Sequence, residues 1–261
     1  MVKIALGIEY QGSAYCGWQR QRHCDSVQAR LEAALSQIAA QPIALFCAGR
    51  TDTGVHAIGQ VAHFETPCSR PLRAWLEGTN TLLPEDIRVV WVREMTGDFH
   101  ARFSAQARQY RYVIFNRSVR SAVLAGRVTW ERRVLDETAM HRAAQDLIGE
   151  HDFSSFRAAE CQAAHARREI QSLQVSRRGE MVFIDVQANA FLHHMVRNIA
   201  GTLMQIGRGE KNEAWAATLL ALRDRTQATA TAPASGLYFV NAFYPESFAL
   251  PRVSLNELVW Q

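Results

Sequence analysis

The 261-residue chain lacks long hydrophobic runs. Its uncharged apolar stretches fall far short of the roughly 18 residues that a membrane-spanning helix needs. The chain begins directly with the strand-like alternation of Ile4, Leu6 and Ile8, and no charged leader with an apolar run precedes them. The sequence therefore predicts no membrane attachment and no export signal.

Paired cysteines and nucleotide-binding loops are also missing. The five cysteines are an odd number and include no Cys-x-x-Cys pair, which argues against a disulfide framework and a cysteine zinc site. A reducing cytoplasm fits this pattern best. Neither Gly-x-x-x-x-Gly-Lys nor Gly-x-Gly-x-x-Gly occurs, so the usual motifs for nucleotide cofactors are excluded.

Lysine is scarce, because Lys3 and Lys211 are the only two against 27 arginines, and the net charge is +4. Arginine offers a planar fork that suits phosphate oxygens and stacks on bases. Several arginines, such as Arg20 near Trp18 and Arg102 next to Phe103, are interleaved with aromatic residues. This pattern favours nucleic-acid binding, although solvated arginines beside core aromatics would look similar.

The order of predicted elements is repeated along the chain, which has 48% hydrophobic residues. Strands are predicted at residues 3–10, 42–47, 61–64, 87–92, 109–116, 172–176, 181–187 and 237–243, and helices at 27–38, from 71, 136–148, 192–206 and 212–222. We expect an α/β (α+β) fold of two related subdomains, residues 1–105 and 106–261. Each would be a mostly antiparallel sheet with helices on one face, and an active-site cleft would lie between them.

A glycine-flanked turn between two predicted strands, residues 48–60, carries Arg50 and Asp52. Asp52 would lie on a loop at a strand end, and a nearby arginine would keep its carboxylate ionised. An ionised aspartate can act as a nucleophile. Alternatively, the two residues brace a turn, since aspartate side chains often bond to nearby backbone N–H groups.

Two histidine patterns resemble parts of metal sites. His63, Glu65 and Cys68 match the first part of a zinc deaminase signature. Pro71 stands where a second cysteine is required, and the distance along the chain between the two parts of the signature is too short. His193 and His194 are adjacent and would point in different directions on a helix. We expect no metal site.

Residues 49–57, Gly-Arg-Thr-Asp-Thr-Gly-Val-His-Ala, closely resemble the signature of the tRNA pseudouridine synthase I family. Further blocks resemble the family in the same order, at residues 15–21, 99–103, 110–112, 152–157, 191–198 and 236–238. The resemblance extends from about residue 3 to 245. It implies an isomerase that converts uridine to pseudouridine at positions 38, 39 and 40 of the tRNA anticodon stem-loop.

The resemblance also implies roles for individual residues. Asp52 matches the catalytic aspartate, Arg50 a residue near the flipped nucleotide, and Tyr110 the tyrosine that stacks on the target base. Arg197 matches the arginine that pairs with the aspartate, and Leu237 an apolar pocket wall. The expected RNA contacts are Arg20, Phe99, His100, Ala101, Arg102, Phe103, Glu160, Cys161, Gln162, Ala163 and Ala164. A homodimer in the cytoplasm, with no cofactor and no metal, is implied as well.

Two departures from the family pattern are Thr53, where alanine is common, and Ser26, which replaces a usual threonine. The sequence leaves open whether Asp52 attacks ribose C1′ or uracil C6, or whether a glycal forms by proton loss from C2′. It also leaves two rival functions. One is a non-catalytic tRNA-binding or folding factor, and the other is a metal-dependent hydrolase or deaminase acting on nucleic acid.

Overall fold

The computed structural model describes residues 1–159, 161, 163–228 and 230–255. These residues form ten strands, β1 (Val2–Tyr10), β2 (Phe46–Cys47), β3 (His56–Thr66), β4 (Ile87–Met95), β5 (Ala107–Asn116), β6 (Thr129–Glu131), β7 (Gly149–Asp152), β8 (Arg167–Arg178), β9 (Met181–Ala188) and β10 (Leu237–Phe243). The α-helices are α1 (Val27–Ala39), α2 (Thr79–Leu82), α3 (Glu137–Gln145), α4 (Met195–Gly207) and α5 (Trp215–Leu222). None of the described helices is both long and apolar enough to span a membrane.

The chain divides into two compact units, Met1–Gln106 with residues 239–255, and Ala107–Tyr238. The division expected from sequence, at residue 105, assigns the whole C-terminal segment to the second subdomain. In the structure, residues 239–255 instead belong to the first unit, because β10 lies beside β3. Strand order cannot be read from periodicity, which reports only the face that each strand buries.

The sheet of the first unit is antiparallel around a central β1. β1 pairs with β3 on one side and β4 on the other, and β2 adds a short ladder to β3. Ile4, Leu6 and Ile8 are almost fully buried, as their alternation predicts. The register of β1 against β3 shifts between Ile8 and Tyr10, so the strand ends in a local irregularity directly opposite the start of β3.

Helix α1 confirms the predicted N-terminal signal. The Ser26 hydroxyl accepts a hydrogen bond from the Ala29 N–H at 3.4 Å, which satisfies one of the unpaired donors of the first turn. Val27, Leu31 and Leu35 are fully buried at helical spacing. The helix ends at Ala39, and the next residue, Ala40, has a left-handed φ of 54°.

The second unit is built on β5, β9, β8 and β7, paired antiparallel in that order, with β6 parallel to β5. The mixed α/β class with mostly antiparallel strands is therefore confirmed. The buried face of α4 includes Ile199 and Leu203, and its fully buried Asn198 donates to the Phe156 carbonyl at 2.7 Å. The short strands β6 and β7 escaped prediction because three or four residues are too few to show a period.

Candidate active-site residues

The loop between β2 and β3, residues 48–55, is held at both ends by backbone acceptors. The Ala48 N–H donates to the Val61 carbonyl at 2.8 Å. The side-chain amide of the fully buried Gln60 donates to the Gly49 carbonyl at 2.7 Å. The N–H of Gly54, a residue with a positive φ of 79°, donates to the Tyr15 carbonyl at 3.3 Å. The loop is consequently an ordered part of the first unit.

Thr51, the residue before Asp52, is buried and bonded through both its backbone and its side chain. Its carbonyl accepts a hydrogen bond from the Trp18 N–H at 3.0 Å, and its hydroxyl pairs with the Tyr10 hydroxyl at 2.7 Å. A Cβ on Gly17 would lie 2.5 Å from the Thr51 carbonyl oxygen, and Gly17 has a φ of 85°. Only glycine therefore allows this close approach.

These contacts fix the backbone on which Asp52 is displayed. Asp52 is half-buried and Thr53 is exposed, so the carboxylate is accessible while the residue before it is locked in the core. Burial raises the pKa of Tyr10 well above its usual range, which keeps its hydroxyl neutral beside Thr51. Tyr10, Thr51 and Gln60 were not singled out from sequence. The buried end of β1 was the signal that could have identified Tyr10.

Arg50 and Arg20 both lie on the surface of the first unit. Arg50 is exposed. Its charge lowers the pKa of the neighbouring Cys47 thiol, but burial has the larger effect and raises that pKa to about 12. Cys47 therefore remains an unreactive thiol at neutral pH. The Arg20 guanidinium is exposed and pairs at 3.0 Å with the buried carboxylate of Glu32.

Tyr110 and Arg111 project from opposite faces of β5 in the second unit. The Tyr110 ring is buried and meets the Phe191 ring edge-on, with 5.0 Å between centroids and an interplanar angle of 84°. Arg111 forms a two-pronged ion pair with Asp185 at 2.7 and 2.8 Å, and its guanidinium lies 4.7 Å from the Phe183 ring centroid. The alternation of β5 thus separates a structural ion pair from the candidate stacking residue.

Arg197 and Leu237 are also placed by the second unit. Arg197 lies on α4 and is half-buried, and its Nε donates to the Ala232 carbonyl at 2.8 Å. The Ala232 N–H donates back to the Arg197 carbonyl at 3.2 Å. Leu237 begins β10 and is 5% exposed. Its role as a pocket wall stays a prediction.

The segment Phe99–Phe103 divides into buried and exposed residues. Phe99 and Ala101 are completely buried, and the Ala101 carbonyl accepts a hydrogen bond from the Tyr244 hydroxyl at 2.6 Å. Phe103 is 76% exposed. We therefore revise the expectation for Phe99 and Ala101: they anchor the segment, and any side-chain contact with RNA falls to His100, Arg102 and Phe103.

An exposed aromatic residue that sequence reasoning missed lies beside this segment. Phe46 is 53% exposed, and its ring centroid is 5.6 Å from that of His100 and 5.3 Å from that of His63. The His100 ring is in turn 4.3 Å from the Phe103 ring. Because β2 is only two residues long, periodicity could not indicate which way Phe46 points.

The remaining predicted contacts lie at residues 160–164. Glu160 and Gln162 are outside the described residues. Cys161 and Ala163 are half-buried, and Ala164 is exposed. A role in RNA binding for this segment stays a prediction.

The histidines weighed as metal ligands take part in the fold. The Nδ1 atom of His63 accepts a hydrogen bond from the Ala101 N–H at 3.2 Å. His194 precedes α4 with a left-handed φ of 61°, and its carbonyl accepts from the Asn198 N–H at 2.9 Å. These bonds tie the His63 ring and the His194 backbone into the fold, and the absence of a metal site stays a prediction.

His63 makes the stability of the fold depend on pH. Burial, His100 and Lys3 lower its pKa from 6.5 to about 4. Below pH 6.5 the unfolded chain therefore binds a proton that the folded chain binds only near pH 4, so stability falls as the pH drops through this window. We expect a loss of about 2 kcal/mol between pH 7.5 and 4.5 from this group.

Urea unfolding at the two pH values measures this loss. His63→Asn keeps an acceptor at the position of Nδ1 for the Ala101 N–H and should flatten the pH dependence, whereas His165→Asn, at an exposed histidine, should leave it unchanged. Equal pH dependence in the wild type and His63→Asn would contradict the assignment to His63.

The two units thus define an α/β protein that displays a half-buried carboxylate on a braced loop. A family model described as tRNA pseudouridine synthase matches residues 7–104 and 143–245. The tRNA pseudouridine synthase A of Hydrogenovibrio crunogenus is 70% identical over 261 residues, covering 100% of both chains. Those of Actinobacillus pleuropneumoniae serotype 7 (56% identical, 98% of each chain) and Cronobacter sakazakii (57% identical, 99% of this chain and 96% of that protein) are similar as well.

The chain belongs to the tRNA pseudouridine synthase family.

Proposed function

We propose that this protein isomerises uridine to pseudouridine at positions 38, 39 and 40 of the tRNA anticodon stem-loop. The observation that carries the proposal is the braced loop that displays Asp52, in a chain that belongs to the tRNA pseudouridine synthase family. We also propose that the protein is a cytoplasmic homodimer and that the reaction needs neither metal nor cofactor, as the sequence resemblance implies.

The reaction breaks the bond between ribose C1′ and uracil N1 and forms a bond between C1′ and C5. The proton on C5 is lost to solvent and N1 gains a proton, so no electrons or external groups are exchanged. Asp52 supplies the anion. It attacks C1′ or C6, or removes the C2′ proton on the glycal route, and each route requires an ionised carboxylate.

The other residues bind and enclose the nucleotide. A base inside a stem must be extruded before it can react, and stacking on Tyr110 would recover roughly 1–3 kcal/mol of the stacking that is lost. As the sequence resemblance implies, Arg197 would pair with the catalytic aspartate, and Arg50 would hold the extruded nucleotide. Leu237 would exclude water from the base while the glycosidic bond is broken.

Tritium release tests this proposal directly. Anticodon stem-loops with tritium on uracil C5 and a single target uridine at position 38, 39 or 40 are incubated with the enzyme and a chelator, without added nucleotide. We expect release from all three substrates. Binding of the stem-loops without release from any of them would favour the non-catalytic tRNA-binding factor, and activity abolished by the chelator would favour a metal-dependent enzyme.

The pair of hydroxyls behind the loop should affect the rate more than the affinity. Tyr10→Phe removes the partner of the buried Thr51 hydroxyl, which costs about 1–3 kcal/mol and loosens the backbone next to Asp52. We expect single-turnover rates about tenfold lower with an almost unchanged Kd for tRNA.

Tyr244→Phe is the matched control, because it removes another buried hydroxyl, which bonds to the carbonyl of Ala101. This change should weaken tRNA binding and leave the single-turnover rate unchanged. If both variants altered the rate and the affinity in the same proportion, the prediction of a specific role for Tyr10 in positioning Asp52 would be wrong.

A further inference from the structure

The segment that joins β5 to α3 is dense in arginine. Residues 117–133 contain Arg117, Arg120, Arg127, Arg132 and Arg133 but a single carboxylate, Glu131. The segment lies outside the stretches that the family model matches, 7–104 and 143–245, and includes none of the residues proposed above to contact RNA. We refer to residues 117–133 as the arginine segment.

Carboxylates neutralise only part of this charge. Three carboxylates pair with three arginines in and beside the segment: Glu180 with Arg117 at 3.5 Å, Glu131 with Arg208 at 3.1 Å and Arg133 at 3.6 Å, and Glu210 with Arg133 at 2.5 Å and Arg208 at 2.9 Å. Arg120, Arg127 and Arg132 are exposed, and no carboxylate of the described chain forms an ion pair with them. An uncompensated charge of +3 therefore remains on the surface.

The arginine segment is an ordered surface. The Trp130 Nε1–H donates to the Arg117 carbonyl at 2.9 Å, and the Arg117 N–H donates to the Glu131 carbonyl at 3.2 Å. The Arg120 guanidinium lies over the Trp130 ring, 4.6 Å from its centroid. This stacking holds Arg120 against Trp130 of β6, which lies two residues before Arg132 in the chain. It also reduces the side-chain entropy that Arg120 loses on binding an anion.

The other end of the segment packs beside Leu237. The Tyr238 hydroxyl donates to the Arg127 carbonyl at 2.5 Å, and the Ser235 hydroxyl donates to the Val128 carbonyl at 3.2 Å. A Cβ on Gly236 would lie 2.5 Å from the hydroxyl oxygen of Thr129 and 2.8 Å from the Val113 carbonyl oxygen. The backbone carrying Arg127 is thus closely packed against the residues that flank Leu237.

We propose that Arg120, Arg127 and Arg132 bind backbone phosphates of the tRNA on either side of the reacting nucleotide. This inference rests on the proposed function, because it takes tRNA as the polyanion and Leu237 as a wall of the uracil pocket. Arginine forks fit phosphate oxygens in pairs, and the surface continues from the neighbours of Leu237, where the strand on either side of an extruded base must pass. An acidic protein surface is the competing partner for the same charges.

Binding is measured in the Asp52→Asn background, so that the result does not depend on turnover. Fluorescence anisotropy with labelled, unmodified tRNA gives the Kd over a range of salt concentrations. Each phosphate contact contributes roughly 0.7–0.9 to the slope of log affinity against log salt. Arg120→Gln/Arg127→Gln/Arg132→Gln should raise the Kd about tenfold or more at physiological salt and reduce the slope by about two to three.

A triple variant of equal charge is the control. Arg73→Gln/Arg142→Gln/Arg167→Gln removes three arginines whose side chains are 81%, 55% and 64% exposed and which already pair with carboxylates. This variant should change the Kd by less than about threefold. Equal weakening in both triples would mean that net charge alone matters and would overturn the proposal.

Further outcomes separate the remaining alternatives. Unchanged tRNA affinity, with lost binding of a polyglutamate probe, would overturn the proposal in favour of an acidic protein partner. The single change Arg132→Gln, at an exposed site, guards against misfolding of the triple variant and should by itself lower the salt slope by about 0.7–0.9. In the Arg120→Gln/Arg127→Gln/Arg132→Gln variant with Asp52 intact, the rate of tritium release at saturating tRNA should stay within about twofold of the wild-type rate. If the wild type binds tRNA without turnover, the proposed function is wrong. The proposal for the arginine segment is then tested by the Kd values and salt slopes alone.

Discussion

Asp52→Asn is expected to lower the single-turnover rate by roughly four orders of magnitude or more. An amide of nearly the same shape is neutral, so it cannot serve as the nucleophile or as the anion facing the sugar. Several bonds that hold the loop are made by Gly49, Thr51 and Gly54. Because these bonds remain and the amide has the size of the carboxylate, the substitution should leave the fold intact. Tritium release with enzyme in excess over tRNA measures the rate.

The control for this substitution is Thr53→Ala, at the exposed neighbour of Asp52. We expect an almost unchanged rate, since the methyl group and hydroxyl of Thr53 face solvent. The two variants should melt within about 3 °C of the wild type and bind tRNA with similar affinity. A residual rate within tenfold of wild type in Asp52→Asn would show that this carboxylate does not react, and a large drop in its melting temperature would give it a structural role.

The second large effect concerns the ion pair between Arg111 and Asp185. Their side chains are 10% and 17% exposed, and the two charges are joined by two short hydrogen bonds. Asp185→Asn leaves a nearly buried guanidinium without its counter-charge, which should cost about 2–4 kcal/mol of unfolding free energy. For a chain of this size the melting temperature should fall by roughly 5–10 °C.

A double variant distinguishes the lost pair from general damage to the sheet. Arg111→Met/Asp185→Leu replaces both charges with apolar side chains between paired strands, and should recover stability to within about 1.5 kcal/mol of the wild type. Urea unfolding of the wild type, Arg111→Met, Asp185→Leu and the double variant gives the coupling energy. A coupling energy near zero would mean that the two charges are held independently by other groups.

Much of the secondary structure could be read from the sequence. The regular spacing of apolar residues predicted α1 and β1. The capping residues Ser26 and Asp136 mark where α1 and α3 begin. The helix expected from residue 71 proved irregular, since Ala74–Gly78 form a π-type turn before α2. Trp75 explains the apolar pattern there, because its buried ring packs edge-on against Phe64 with 5.1 Å between centroids.

The candidate site was only partly predictable. The motif around Asp52 identified the loop, but the residues that hold it, Tyr10, Trp18 and Gln60, come from positions far apart along the chain. The family block at residues 99–103 pointed to a whole segment, whereas burial divides it into anchoring and exposed side chains. A motif records which residues occur together and does not report which of them reach the solvent.

The sequence by itself determined the α/β class, the family and the display of Asp52 on a glycine-bounded turn, because these depend on residue type and on short-range spacing. The tertiary structure decided that β10 joins β3, that the Tyr10 hydroxyl supports Thr51, and that three arginines of residues 117–133 pair with no carboxylate of the described residues. Those features depend on contacts between residues distant in the chain. No local period encodes such contacts, and packing of the core selects them.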